Sequence, residues 1–285
     1  MNYKELLLAV RSLPKGYTFK VIGKTKYKRQ IIAVERVLNE SFSTAIFVGG
    51  MHARENITSD LIYEMIRQDL FAEIKDFNLS FVLLANPDGA DLEQFGEKVF
   101  PCFARKKILK MNGGSCDYSM WKANARGVDI NNNFDARFGT NAHSSVPASH
   151  GFVGRNPESE KETFALTKYT KIKKPFITIS YHTKGEEIYF NFFQTGKRLE
   201  RDKKIAERFA FSTGYQIKNV EEVSSGGYKD WCVEKLNIPS LTIEVGSDDL
   251  LHPIGKDHFN EIFEKNKFVA SDVQFAYNVF NEYKI

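Results

Sequence analysis

The chain has 285 residues, 42% hydrophobic and 27% charged, a globular composition that excludes a disordered chain and a fibrous repeat. Forty Lys and Arg against 36 Asp and Glu leave a formal charge of +4, too even a balance for the clustered basic face that nucleic acid requires. The apolar run at 6–10 is too short for a signal-peptide core or a membrane span, so a cytoplasmic chain without a span is expected, with non-classical release left open.

In chain order, apolar runs bounded by turn residues predict strands at 44–48, 79–85, 176–181, 187–192 and 241–245. Helical periods lie between and after them: Leu61, Ile62, Met65, Ile66 and Leu70, then Phe259, Ile262, Phe263, Val269, Val273, Ala276 and Phe280. This alternation predicts an α/β fold, a mixed and mostly parallel β-sheet covered by helices on both faces. Residues 138–156 have no period and are rich in Gly, Ser, Pro, Asn and His; they predict a long surface loop, of the kind that often borders an active site. No internal repeat or linker divides the chain, so one domain over 1–285 is expected. Cys102, Cys116 and Cys232 form no Cys-x-x-Cys pair and predict reduced thiols rather than a disulfide framework.

The residues with chemistry follow the predicted strands. Gly49-Gly50-Met51-His52-Ala53-Arg54-Glu55 comes after the first, at the end of a strand where open α/β sheets place ligands. His52 and Glu55 can supply a nitrogen and a carboxylate oxygen to one zinc ion, with a third ligand and an open position still to be found. The spacing alone is weak, because six histidines predict roughly 0.4 accidental His-x-x-Glu pairs at ordinary composition. His258 and Glu261 share that spacing on the carboxyl-terminal helix, where a solvated face is the better reading. His182 ends another predicted strand and is a candidate for the third ligand, although a strand-end histidine is more often structural. Glu244 sits inside the apolar run Leu241-Thr242-Ile243-Glu244-Val245, where an acid costs several kcal/mol unless it pairs with a buried cation or belongs to a site; both readings stay open.

Five ordered stretches carry a family resemblance: the His52-x-x-Glu55 segment, Asn86-Pro87-Asp88-Gly89, Trp121-Lys122-Ala123-Asn124-Ala125-Arg126-Gly127-Val128-Asp129-Ile130-Asn131-Asn132-Asn133-Phe134, the strand ending in His182, and Thr242-Ile243-Glu244-Val245-Gly246. Together they resemble the zinc metallocarboxypeptidases of the carboxypeptidase A type. That resemblance implies His52, Glu55 and His182 as ligands of one Zn2+ per chain, Glu244 as general base and Asp129 as the acid orienting the first histidine. It places Lys122 where the family has an oxyanion-stabilising arginine, with Arg54 and Arg126 as nearby motif positions; a lysine keeps the charge and loses the bidentate fork.

Departures from the family narrow the substrate. The family grips a terminal carboxylate with an Asn-Arg pair, and here Asn131 is followed by Asn132. Loss of that charge-assisted contact removes on the order of 1.5–3 kcal/mol of recognition. Glu222 stands where the family's carboxypeptidases have a mobile tyrosine. Ser224-Ser225-Gly226-Gly227-Tyr228-Lys229-Asp230-Trp231, together with Thr213-Gly214-Tyr215 and Gly185-Glu186-Glu187-Ile188-Tyr189, resembles the bacterial γ-D-glutamyl-meso-diaminopimelate peptidase I branch. That branch implies a murein peptide substrate; with neither a signal peptide nor a wall-binding repeat read in the sequence, soluble muropeptides are expected over intact sacculus, which stays open. Gly226 and Gly227 are expected to let backbone approach the ligand. Lys229 falls at the family's specificity-pocket position, either to meet a diaminopimelate carboxylate or to reach solvent. The alternatives are a conventional or glutamate-trimming carboxypeptidase, an N-acyl amino acid deacylase, and a zinc-free peptide-binding descendant.

Overall fold

The computed structural model describes residues 1–140, 142–218 and 225–283. In chain order the elements are α1 (Tyr3–Ala9), β1 (Thr18–Lys24), β2 (Gln30–Arg36), β3 (Thr44–Val48), α2 (Ile57–Arg67), β4 (Asn78–Val82), α3 (Pro87–Phe95), α4 (Cys102–Met111), α5 (Lys161–Lys173), β5 (Ile177–His182), β6 (Glu187–Tyr189), α6 (Gly196–Thr213), β7 (Gln216–Lys218), α7 (Tyr228–Trp231), β8 (Ser240–Glu244), α8 (Phe259–Asn266) and α9 (Val269–Glu282). The strands form one sheet in the order β1-β2-β4-β3-β5-β8-β6-β7. Neighbours run parallel from β4 through β3 and β5 to β8, and again at β6 and β7; the pairs β1 with β2, β2 with β4 and β6 with β8 are antiparallel. The mixed, mostly parallel sheet expected from the sequence is present.

Alternation along the strands separates two cores. Ala45 and Phe47 of β3 face a core shared with α1, α2, α6, α8 and α9, whereas Ile46 and Val48 face a second core with α5 and α7. Strands buried on both faces read as unbroken apolar runs, and β3, β4 and β5 are buried at every position. That is why these strands were the visible ones. β1, β2 and β7 fall outside the expected set. β1 lies at the sheet edge with Phe19 and Val21 exposed by 50% and 39%, so no buried face imposes a period on it; β7 has three residues. The apolar period over 259–280 is carried by two helices rather than one, because α8 and α9 keep their apolar faces on the same core across the break at Lys267 and Phe268.

The described part of 138–156 contains no helix or strand, as expected of a loop, and Asn141 lies outside the described residues. The three cysteines are free, Cys102 and Cys116 exposed and Cys232 buried. No helix among the described residues is long and apolar enough to cross a membrane.

One buried acid sets a pH dependence. Glu162, in the first turn of α5, is 4% exposed, and desolvation, reinforced by the negative charges of Asp88 and Glu160, pushes its pKa up to about 8 from an ordinary 4.5. The folded state keeps a proton that the unfolded state releases, so this group's stabilisation is complete below about pH 4.5 and is lost as pH rises towards 8. Glu162→Gln is expected to leave stability near pH 4 unchanged and to raise it at pH 8 by on the order of 1–3 kcal/mol. Urea melts at the two pH values check this, and equal gains at both would rule it out.

Candidate active site

The strand order reverses at β3: the chain passes through α2 to β4 on one side, then returns to β5 on the other. The crevice between β3 and β5 is therefore a topological switch point, the place where open α/β sheets bind ligands. His52 lies just beyond the carboxyl end of β3, while His182 and Glu244 are the last residues of β5 and β8 and stand opposite each other in register. The turn out of β3 needs Gly50, whose φ is +57° and whose added Cβ would lie 2.5 Å from Leu84 Cδ1 and from Ser59 Oγ. Asn86 ties the neighbouring motifs together. Its side chain caps α3 at the Gly89 N–H and donates to the carbonyls of Met51 and Ala123.

His52, Glu55 and His182 converge, with ligand atoms within 4.8 Å of one another, and all three are buried. His52 Nδ1 is 2.8 Å from Glu55 Oε1, His182 Nδ1 is 3.0 Å from Glu55 Oε2, and the two ring nitrogens are 3.1 Å apart. Two nitrogens bound to one tetrahedral zinc at about 2.0–2.1 Å stand about 3.3 Å apart, so the donor set and its spacing fit a single zinc ion. Burial opposes charge on Glu55 and His52 alike. The two imidazoles nevertheless hold Glu55 well below the usual carboxylate range, and the Glu55 and Asp129 carboxylates hold His52 above its ordinary value. The Thr183 N–H also reaches Glu55 Oε2, at 3.3 Å, and His252 Nε2 is 3.0 Å from Thr183 Oγ1; His252 was not among the sequence candidates.

Asp129 joins two parts of the site. One oxygen faces His52 Nε2 at 3.3 Å and the other meets Lys122 Nζ at 3.0 Å. Burial would raise its pKa, but Lys122 and His52 outweigh burial and hold it far below the carboxylate range. A proton on Nε2 facing Asp129 leaves the Nδ1 lone pair free for a metal. Lys122 remains charged for the same reason: Asp129 and Glu55 overcome its desolvation. Asp129→Asn is expected to weaken metal affinity or activity by about 10- to 100-fold while the protein stays folded. Zinc titration beside a melting curve tests this, and undiminished affinity and rate would remove Asp129 from the site.

Glu244 has no ion pair or side-chain hydrogen bond among the described residues. Desolvation, with Glu55 and Glu187 adding negative charge against the opposing His182 and Lys122, pushes its pKa up to about 7. Glu55 and Asp129 are thus held as anions while Glu244 sits near neutrality, the kind of separation between neighbouring carboxyl groups on which acid–base chemistry relies.

A cavity of about 570 Å³ adjoins the triad, with Arg54, Lys122, Asp129, Asn132, His143 and His150 in its wall. Sequence reasoning flagged 138–156 as a border of the site but not His143 or His150, since an aperiodic loop does not show which side chains turn inward. Four other candidates have partners within the chain. Arg126 is exposed and 3.6 Å from Glu160, and it is not on the cavity wall. The Asn131 side chain accepts from the Tyr228 N–H at the start of α7. Lys229 neither reaches solvent nor stands uncommitted: it is 5% exposed, donates to the Asn191 carbonyl at 2.8 Å and lies 2.5 Å from Asp230 Oδ1. Gly226 permits a close approach to the Asn132 backbone, whose carbonyl oxygen would be 2.6 Å from an added Cβ. Glu222 and Ser224 lie outside the described residues.

The zinc carboxypeptidase family profile matches residues 4–267. The chain is 28% identical over 74% of its length to the uncharacterized protein YqgT of Bacillus subtilis, covering 60% of it. It is 27% identical over 93% of its length to the γ-D-glutamyl-L-diamino acid endopeptidase 1 of Lysinibacillus sphaericus, covering 69% of that protein. The chain thus spans about two thirds of the length of these curated relatives. Among solved structures, bovine thrombin-activatable fibrinolysis inhibitor shares the fold with a TM-score of 0.80 at 18% identity, over 99% of this chain and 98% of that one. The murein-tripeptide amidase MpaA of Escherichia coli O157 gives a TM-score of 0.58 at 20% identity, over 93% and 94%.

Proposed function

The chain belongs to the zinc carboxypeptidase family, and from that premise we propose that it hydrolyses the γ-D-glutamyl-diamino acid amide of murein stem peptides, with meso-diaminopimelate as the diamino acid. The observation that supports this most is Asn132 on the cavity wall, where the family's carboxypeptidases have the arginine that grips a terminal carboxylate. The relative from Lysinibacillus sphaericus, named for cleavage at a γ-D-glutamyl-diamino acid bond, supports the same reading.

In this reading residues 1–285 act as one peptidase domain, and His52, Glu55 and His182 hold the zinc. Zinc bound there supplies a Lewis acid for the scissile carbonyl and a water of lowered pKa. Glu244 takes the proton from the attacking water and delivers it to the leaving nitrogen, a task suited to a carboxylate poised near neutral pH. Lys122 places positive charge beside the developing oxyanion, and Asp129 fixes both that ammonium and the His52 ring. Asn132 offers the substrate an amide in place of a charge.

The test is mass-spectrometric product analysis with zinc-loaded protein and L-Ala-γ-D-Glu-meso-diaminopimelate. Release of L-Ala-D-Glu and free diaminopimelate is the expected result. An untouched tripeptide beside a trimmed ordinary peptide would overturn the reading in favour of a conventional carboxypeptidase.

A further inference from the structure

We infer that the cavity beside the metal triad binds a substrate carboxylate through Arg54, His143 and His150, three other residues of the wall to which Asn132 belongs. The inference rests on the peptidase reading above and deepens it.

Asp129 is the acid on the described lining, and its two oxygens are directed at His52 and Lys122. Lys122 is engaged by that same Asp129. Arg54 is not engaged: its guanidinium makes no hydrogen bond or ion pair among the described residues, and its Nε is buried without a partner. A buried guanidinium donor left unmatched is costly, and a planar fork of this kind matches a carboxylate in two parallel hydrogen bonds. The wall therefore holds a buried cationic donor that an acceptor oxygen of a ligand can meet.

The loop supplies the remaining donors from a fixed backbone. His143 and Ser144 N–H groups both bond the Gly151 carbonyl, at 3.0 Å each. Gly151 has φ +75°, and an added Cβ would come within 3.0 Å of His143 Cβ, so glycine there fixes where His143 stands. The neighbouring Ser149 carbonyl accepts from the Lys122 and Ala123 N–H groups at 3.0 and 2.9 Å. His150 turns its Nδ1 to Ser149 Oγ at 3.1 Å, which directs its Nε2 edge away from that contact. An imidazole can donate a hydrogen bond whether neutral or charged, so the grip does not depend on a histidine being protonated.

The proposed substrate offers two sources of this chemistry. A γ-linked D-glutamate keeps its α-carboxylate free, and the diamino acid carries carboxylates of its own. Three tripeptides separate them: the parent L-Ala-γ-D-Glu-meso-diaminopimelate, the same peptide with the glutamyl α-carboxylate converted to a carboxamide, and the same peptide with the diaminopimelate carboxylates converted to carboxamides. Wild type should lose about tenfold or more in kcat/KM on one of the two amides, and which one identifies the carboxylate held. In His150→Asn and Arg54→Gln the acid-over-amide ratio should collapse towards one, mainly through KM, and Arg54→Lys should restore part of it. Zinc content and melting temperature of each variant show whether the metal site and fold survive. Equal kcat/KM on all three peptides in wild type, or an undiminished ratio in both variants, would overturn the grip while leaving the peptidase reading intact. If the γ-glutamyl peptides are untouched and an ordinary peptide is trimmed, the γ-D-glutamyl substrate reading falls instead. The same acid-against-amide comparison at that peptide's terminus then decides the grip.

Discussion

Glu244→Gln is expected to retain one zinc per chain and to lose turnover by 10²-fold or more, the usual scale for removal of a general base. The two halves of that result come from different parts of the site. In the proposed reading zinc binding belongs to His52, Glu55 and His182, whose ligand atoms lie within 4.8 Å of one another, and Glu244 is not in that set. Proton transfer needs a carboxylate, and glutamine has the shape without the basicity. The fold should not suffer. The wild-type carboxyl is held at a pKa of about 7 by desolvation, so exchanging it for a neutral amide removes a group the site already disfavours in charged form. Metal analysis, kcat and a melting curve on the one variant test all three statements, and wild-type turnover would exclude Glu244 as the base.

His182→Ala should act in the opposite way, through the metal. It removes one of three converging donors, and the loss of zinc affinity should exceed the roughly 100-fold upper scale seen when only a supporting residue is changed. Zinc at 100 times its dissociation constant stabilises a protein by about 2.7 kcal/mol, so wild type should melt higher with zinc than with a chelator. The variant should melt alike in both. Zinc-dependent melting in His182→Ala equal to that of wild type would reject His182 as a ligand.

Much of this site was legible because strand-end chemistry leaves local traces. His52 and Glu55 share one turn, and His182 closes a run whose every residue is buried. Glu244 stood out because an acid interrupts an apolar strand. The two readings open for it were a buried ion pair and a site; no ion pair is present among the described residues. Other features depend on contacts between distant segments and left no local trace. Lys229 pairs with its neighbour Asp230 and the carbonyl of Asn191, 38 residues away. Gly226 accommodates the backbone of Asn132. Nothing in the composition of 138–156 singles out His143 and His150, because their place on the cavity wall depends on the bonds of Gly151 to His143 and Ser144 within the loop and of Ser149 to Lys122 and Ala123 outside it. The β1–β2 hairpin was missed at its exposed edge, although Ile31, Ile32, Ala33 and Val34 form a buried run in β2.

The peptide of Lys122 has a further consequence. Its N–H is bound to the Ser149 carbonyl, and its own carbonyl accepts from the Ala53 N–H, between His52 and Arg54. The loop, the lysine and the metal-ligand segment are thus coupled in series, like rungs fixed to one rail. Shortening or lengthening the loop would shift Lys122 and, through Ala53, the histidine beside it, whereas exchanging a side chain on the loop would shift neither. Transplanting a loop of another length would therefore be felt first as a loss of metal affinity.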